Sequence, residues 1–370
     1  MNAPVATTPI AKSAARIGVV LLGTGAVGGV LLRQLGPASR AGIALVGVAN
    51  SRVQYTRADG LSTASARERL DTHGALRDDA ALLEALDDFG ADRRVLIDAT
   101  ASARVAAKHA AWLREGYDVV TANKLGVGGE LQAWRDIRES SRCGDSQYGD
   151  AATVGAGLPV LSTLRRLRGC GDRLLALEGV FSGSLSWLFN HYDGARPFSA
   201  LLAEARSWGY TEPDPRADLS GADAARKLLI LARASGHALD ARDVEIENLV
   251  PPSLRNVDAA TFNARARELD AVLLPRLETA RTQGKVLRYL ARLDVRGRAS
   301  VGLHAVESSH PAARLSGCDN LFALITTRYH DRPLVIQGAG AGPEVTAQAL
   351  LADVLSLRER AVSRPLALVI

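Results

Sequence analysis

The stretch Arg16 to Leu22 (RIGVVLL) runs straight into GTGAVG and then into an apolar-periodic segment from Val27 to about Leu35. This strand, glycine turn and helix limit the chain's possible folds more than any other feature. Gly23, Gly25 and Gly28 have the spacing that permits a tight turn, close approach of backbone to a pyrophosphate, and close packing of helix on strand. With Ala26 and Val27 they open a helix whose N-terminus faces the phosphates. The pattern predicts an α/β chain whose N-terminal part is a Rossmann-type, doubly wound nucleotide-binding domain.

The next strand, Ile43 to Ala49, ends at Asn50-Ser51-Arg52, with no acid for ribose hydroxyls. Arg52 can instead pair with a 2′-phosphate, which favours NADP, or it is an exposed loop arginine. A polar helical region follows (Ser62 to Leu86). Then come a strand (Val95 to Ala99, reached through Asp98 and followed by Thr100), a helix (Val105 to Glu115) and a strand (Asp118 to Thr121) that leads to Asn123-Lys124. In doubly wound sheets ligands bind at the carboxyl ends of strands. At Gly155 the turn GAGLP frees carbonyls towards a ligand, and from there a second unit is expected. Its elements are a helix (Val160 to Arg168), a strand (Leu174 to Phe181), helices (Ser184 to His191, Phe198 to Trp208) and strands at Val286 to Leu293, Ser300 to Ala305, Leu321 to Thr326 and Pro333 to Ile336. A second glycine turn, Gln337 to Gly342, precedes a closing helix from Val345 to Arg358.

The most charged stretch beside an apolar helix is TEPDPRADLSGADAARK, Thr211 to Lys227. Pro213 and Pro215 hold the chain extended, so Glu212, Asp214, Arg216 and Asp218 are expected in a stiff, non-helical loop. Ser220 or Asp218 can cap the helix from Gly221 to about Ser235, whose apolar residues fall on all sides and predict burial. Asp223 and Lys227, four apart, share one face. On a surface they would be an ordinary ion pair. At the start of a buried helix they must be paired or serve a ligand.

The chain has 45 basic residues, of which Lys12, Lys108, Lys124, Lys227 and Lys285 are the lysines. Arginine does nearly every basic job, and arginine cannot release a proton near neutral pH, whereas a desolvated lysine can. The net charge of +5 comes from scattered arginines without a basic run or interleaved aromatics, so nucleic acid is not an expected partner. Cys143, Cys170 and Cys318 are odd in number and widely spaced, which suits a reducing cytoplasm and neither a disulfide framework nor a zinc site. The seven histidines form no H-x-x-H or Cys/His cluster, and His191, His304 and His310 read as structural. No apolar run approaches the roughly 20 residues of a membrane span, and residues 1–15 read as a disordered tail.

GYTEPDPRADLSGADAARKLLILA (Gly209 to Ala232) resembles the substrate-binding and catalytic signature of homoserine dehydrogenases, especially the dehydrogenase half of fused aspartate kinase–homoserine dehydrogenases. The resemblance extends to VVTANK (Val119 to Lys124), TVGAGLPV (Thr153 to Val160), GVFSGSLSWLF (Gly179 to Phe189) and QGAGAGPEVTAQ (Gln337 to Gln348). It implies reduction of L-aspartate 4-semialdehyde to L-homoserine with NADP or NAD in threonine, methionine and isoleucine biosynthesis, by a cytoplasmic homodimer. It implies Lys227 as proton donor with Asp223 and Lys124 assisting. Glu212, Asp218, Asp223, Tyr210 and Gly155 would bind substrate. Thr100, Ala101, Lys124 and Gly342 would stand on the cofactor side with the first glycine turn, Asn50 and Arg52. The family usually has Ser where Ala101 stands. Gly342 otherwise is a plain strand-to-helix turn.

The resemblance also implies a monovalent cation, Na+ or K+, on the carbonyls of Ala151, Val154, Ala156 and Leu158, although the family usually has an acid at Ala151. The expected division is a nucleotide-binding domain over 16–154, an α+β substrate-binding and dimerisation domain with a mixed sheet over 155–336, and a return to the first domain over 337–370. Neither a kinase nor a C-terminal regulatory domain is read in the sequence, so little threonine inhibition is expected. Two rival readings stay open: another small-substrate dehydrogenase of the same plan, and a non-catalytic cofactor-sensing protein.

Overall fold

The structure, a computed structural model, describes residues 16–38 and 42–363. The tail expected over residues 1–15 lies outside the described residues, as do 364–370 of the closing segment. The chain builds two sheets. In the first, β1 (Ile17–Leu22), β2 (Ile43–Ala49), β3 (Val53–Thr56), β4 (Ala75–Leu76), β5 (Arg93–Asp98), β6 (Asp118–Thr121) and β7 (Tyr148–Gly149) stand in the order β4-β3-β2-β1-β5-β6-β7. Strands β2, β1, β5, β6 and β7 run parallel, and the β2-β3-β4 edge is antiparallel.

Every residue of β1 is buried because both faces of the sheet are covered. Val20 and Leu22 face one core and Val19 and Leu21 the other. That second core takes Ala347, Leu350, Val354 and Leu357 from helix Pro343–Ser363, so this helix packs on the first sheet. Arg33 pairs with Glu344 at 2.9 Å, and Ala151 N–H donates to Asp353 at 3.0 Å.

In the second sheet, β8 (Leu174–Val180), β9 (Val244–Ile246), β10 (Lys285–Asp294), β11 (Ala299–Glu307), β12 (Asn320–Thr326) and β13 (Leu334–Gly338) take the order β13-β12-β8-β10-β11-β9. It is mixed, since β9 runs parallel to β11 while the other pairs are antiparallel. Leu287, Tyr289, Ala291 and Leu293 of β10 enter the main core, whereas Leu290 joins Val180, Leu321 and Ala323 on the other face, the alternation a strand imposes.

The polar region Ser62 to Leu86 is not one helix. It is broken into Ala66–His73 and Asp79–Asp88, because Gly74 is extended there and a Cβ on it would lie 2.4 Å from the Leu70 carbonyl. Val105 to Glu115 likewise splits into Ala103–Ala106 and His109–Arg114. The first helix starts one residue early, at Ala26, and runs to Ala38 through Pro37.

The loop at Glu212 is not wholly non-helical. Arg216–Leu219 forms a helical turn, because Pro215 suits a helix start and Asp214 accepts from the Arg216 N–H at 3.1 Å while pairing with its guanidinium. Asp218 does not cap the next helix, since both its oxygens are bonded elsewhere. Ser220 Oγ reaches the Ala222 N–H at 3.3 Å, and the N-cap is Gly221 at φ 74, where a Cβ would fall 2.0 Å from the Tyr289 hydroxyl. Helix Ala222–Ser235 ends in left-handed Gly236 and is buried from Leu228 to Arg233.

Candidate active site

The strand-order reversal of the first sheet falls at β1, flanked by β2 and β5, so the crevice for a ligand opens between the carboxyl ends of β1 and β5. Gly23, at φ 96, sits so close to β5 that a Cβ would lie 2.9 Å from the Ala99 carbonyl. A Cβ on Gly28 would fall 1.8 Å from the Gly23 carbonyl oxygen, whereas Gly25 has open space around it. The turn is therefore closed on the protein side and open where a pyrophosphate would approach.

Behind this crevice lies a buried polar network that holds the strand ends. Asp98 accepts from the N–H and hydroxyl of Thr100, from Asn123 Nδ2 at 2.9 Å, and faces His109 Nε2 at 3.0 Å. Asn123 in turn accepts from the Leu125 N–H, capping helix Lys124–Gly128 and so fixing where Lys124 starts. Tyr148 closes the network on His109 Nδ1 at 2.9 Å, and burial pushes its phenol up.

A cleft of about 1200 Å³ brings together Val27, Thr100, Ala101, Lys124, Gly155, Tyr210, Glu212, Asp218, Asp223, Lys227 and Gly342. Of the remaining candidate residues Ala156 also lines it, while Gly23, Gly25, Ala26, Gly28, Asn50, Arg52, Ala151, Val154 and Leu158 do not. Asn50 Oδ1 accepts from the N–H groups of Arg52 and Val53, folding a tight turn that leaves Arg52 exposed beyond β2. Gly155 and Ala156 are successive left-handed residues, at φ 75 and 51. For an alanine this conformation costs on the order of 1–2 kcal/mol.

Lys227 is the chemical centre of the cleft. Its side chain is 9% exposed, and its Nζ lies 2.8 Å from Asp223 Oδ2 and donates to the Phe181 carbonyl at 2.7 Å. Lys124 Nζ approaches the other oxygen of the same carboxylate at 3.3 Å. Burial alone would raise the pKa of Asp223, but Lys227 and then Lys124 reverse this and hold the carboxyl well below the usual carboxylate range. A helix of the second unit and a strand end of the first thus share one charge cluster, two ammonium groups around one carboxylate.

Asp218 accepts from Ser184 Oγ at 2.6 Å and from the Glu212 N–H at 2.8 Å, tying the Glu212 loop to helix Gly183–His191. The Glu212 side chain lines the cleft and has no ion-pair partner among the described residues. Tyr210 is 41% exposed and packs edge-on to Trp208 at the rim.

The sequence reading gave no role to Ser184, Asn320 or the Phe181 carbonyl. Asn320 Nδ2 donates to that carbonyl at 3.1 Å, and Gly340 packs so tightly on Asn320 that a Cβ would lie 2.2 Å from its amide nitrogen. Ser184 stands inside a quoted motif, whereas a backbone carbonyl leaves no letter to read. The described residues contain no group of three or more His, Cys, Asp or Glu placed to hold a metal. No helix among them is long and apolar enough to cross a membrane.

With this geometry in place, comparison with known proteins assigns the family. The model "Homoserine dehydrogenase, NAD binding domain" matches residues 23–148 and "Homoserine dehydrogenase" matches residues 159–355. The chain is 38% identical over 358 residues to a chloroplastic bifunctional aspartokinase/homoserine dehydrogenase 1 of Zea mays, covering 94% of this chain and 39% of that protein. It therefore spans about two fifths of the length of such bifunctional relatives. It is 41% identical over 280 residues to the homoserine dehydrogenase of Emericella nidulans, covering 72% of this chain and 76% of that one. In fold it is similar to a hyperthermophilic archaeal homoserine dehydrogenase solved in complex with NADPH, at a TM-score of 0.72 and 18% identity, covering 93% of this chain and 98% of that one. The chain belongs to the homoserine dehydrogenase family.

Proposed function

We propose that the chain reduces L-aspartate 4-semialdehyde to L-homoserine with NADPH or NADH, as a step towards threonine, methionine and isoleucine. The observation that carries this reading is the buried Lys227 ammonium, held by Asp223 and the Phe181 carbonyl, facing the same cleft as Lys124 and the unpaired Glu212. The dinucleotide supplies the hydride. The glycine turn from Gly23 to Gly28 holds its pyrophosphate, and Thr100, Ala101, Lys124 and Gly342 border the nicotinamide end. Lys227 stabilises the negative charge that develops on the aldehyde oxygen and gives it a proton. Asp223 and the Phe181 carbonyl fix the direction of that ammonium. Glu212 receives the substrate's α-ammonium, with Asp218 holding the loop, and Tyr210 and Gly155 complete the wall.

The two sheets support a division into a nucleotide-binding part (16–154 with 337–370) and a substrate and dimerisation part (155–336). A homodimer in the cytoplasm, without nucleic-acid or membrane partners, completes this reading. The carbonyls of Ala151, Val154, Ala156 and Leu158 are proposed to hold Na+ or K+. The left-handed Gly155–Ala156 pair supports this, since it bends the segment out of regular structure. The Leu158 carbonyl accepts from the Val160 N–H at 2.8 Å and keeps a second lone pair.

The test is absorbance at 340 nm with L-homoserine and NADP or NAD. Homoserine-dependent formation of reduced cofactor is expected. Cofactor binding without turnover would instead make this a cofactor-sensing protein.

A further inference from the structure

We propose that the open pocket bordered by helices Leu131–Cys143, Val160–Gly169 and Ala222–Ser235, where Arg138, Arg142 and Arg168 are exposed and Arg233 is buried, binds a compact, multiply charged oxyanion at a site separate from the catalytic cleft. This cavity, about 610 Å³, is lined by Arg138, Arg142, Arg165, Arg168 and Arg233, against the single carboxylate of Asp150. Its volume lies within the roughly 300–1,000 Å³ typical of small-molecule sites.

Asp150 neutralises only one of these guanidinium groups, Arg165, through contacts of 2.6 and 2.7 Å. Among the described residues neither Arg138 nor Arg142 has a carboxylate within ion-pair distance. Arg168 is spent on the Ala234 carbonyl at 3.2 Å. Arg233 is 2% exposed. Its Nη1 donates to the Val127 carbonyl at 2.7 Å and its Nε to the Leu239 carbonyl at 3.1 Å, but its Nη2 is buried without a hydrogen-bond partner. A buried charged donor left unbonded is costly, and beyond these bonds the guanidinium has the Trp134 ring as its neighbour, 5.7 Å from its carbon.

The helix dipole accounts for part of the cluster. Arg142, Arg168 and Arg233 occupy the last turns of their helices, where a cation is favoured by roughly 0.3–1 kcal/mol. It does not account for Arg138, in the middle of its helix, or for the idle Nη2 of Arg233. The acids that act on Arg233, Asp240 and Glu130, do not line the cavity.

Guanidinium forks match the oxygen pairs of phosphoryl and carboxylate groups, so phosphorylated metabolites and polycarboxylates share the required chemistry. A ligand here would touch the two helices that carry the catalytic cluster, at Val127 and Arg233. Arg233 belongs to the helix of Asp223 and Lys227, and the carbonyl it holds belongs to helix Lys124–Gly128. These helices are in tight contact, since a Cβ on Gly128 would lie 2.9 Å from Ile230.

The test is calorimetric titration of the full chain at low ionic strength, once with pyrophosphate and once with citrate, with NADP present to occupy the dinucleotide site. The R138A/R142A double variant is titrated alongside, and R168A serves as a second variant. Wild type is expected to bind one equivalent of at least one probe, weakening with salt. The double variant should lose tenfold or more in affinity at unchanged kcat and melting temperature. Preference for pyrophosphate marks a phosphoryl ligand and preference for citrate a polycarboxylate. Absence of binding to either probe, or equal affinity in wild type and both variants, overturns the proposal.

Discussion

Lys227 Nζ lies 2.8 Å from Asp223 Oδ2, one helical turn away, yet the two groups live in different surroundings: the lysine is 9% exposed and the aspartate 48%. Both groups line the cleft, the carboxylate half open to solvent and the ammonium almost wholly covered. Asp223 is therefore the orienting member of the pair and Lys227 the member whose proton is shielded from bulk water.

The first prediction concerns pH. Asp223 is held below the ordinary carboxylate pKa of about 3.9, so its stabilising effect is fully present above that value and is lost as pH falls towards the depressed folded pKa. In denaturant titrations Asp223→Asn should be less stable than wild type by a constant margin from about pH 7 to 5, and the margin should shrink below about pH 4. A margin independent of pH down to about pH 2.5 would show that charge is not what stabilises the pair.

Arg52 gives the second prediction. It is exposed on the turn built by Asn50, beyond the end of β2, and its guanidinium has no ion-pair partner among the described residues. That position suits a 2′-phosphate. Arg52→Ala should raise KM for NADP several-fold and leave KM for NAD nearly unchanged. Equal effects on both cofactors would remove Arg52 from phosphate recognition.

The glycine turn separates folding from binding. Gly28→Ala drives a methyl into the Gly23 carbonyl, so the fold itself should suffer, by roughly 1–3 kcal/mol, the range of an overpacked site. Gly25→Ala meets nothing in the protein and should keep the melting temperature while weakening dinucleotide binding tenfold or more. Thermal melts and cofactor titrations of the two variants check this, and the reverse pattern would place the cofactor elsewhere.

Much of this architecture was legible because β1, β5 and β6 are short apolar runs and the helix of Lys227 is apolar on all sides, which are local signals. The hairpin strand Val53–Thr56 was not legible, because its turn depends on an Asn50 side chain bonding two backbone amides rather than on a glycine signal. Helix Glu268–Thr282 went unread, and it carries Pro275 inside, a residue that ordinarily argues for a break. In the site, the charged residues of the Glu212 to Lys227 stretch were readable from chemistry and spacing. Ser184 and the Phe181 carbonyl were not, because they arrive from β8 and the helix after it, brought in only by the tertiary fold.

The last prediction is that Lys227→Arg will be nearly as inactive as Lys227→Ala, although arginine keeps a positive charge beside Asp223. Were the positive charge beside Asp223 all that mattered, arginine would supply it and kcat would fall little. The site leaves little room for that exchange: Nζ already satisfies Asp223 and the Phe181 carbonyl from a buried position, and a planar guanidinium cannot reproduce both contacts and release a proton at neutral pH. Loss of a general acid should lower kcat by about 10²–10⁴ in both variants. Cofactor binding should persist, because the Gly23 to Gly28 turn contacts none of the changed atoms. Kinetics, NADPH titration and thermal melts of the two variants decide it. A folded Lys227→Arg protein that keeps more than about a tenth of wild-type kcat, against that expected loss, would pass the proton-donor role to Lys124, the other ammonium on Asp223.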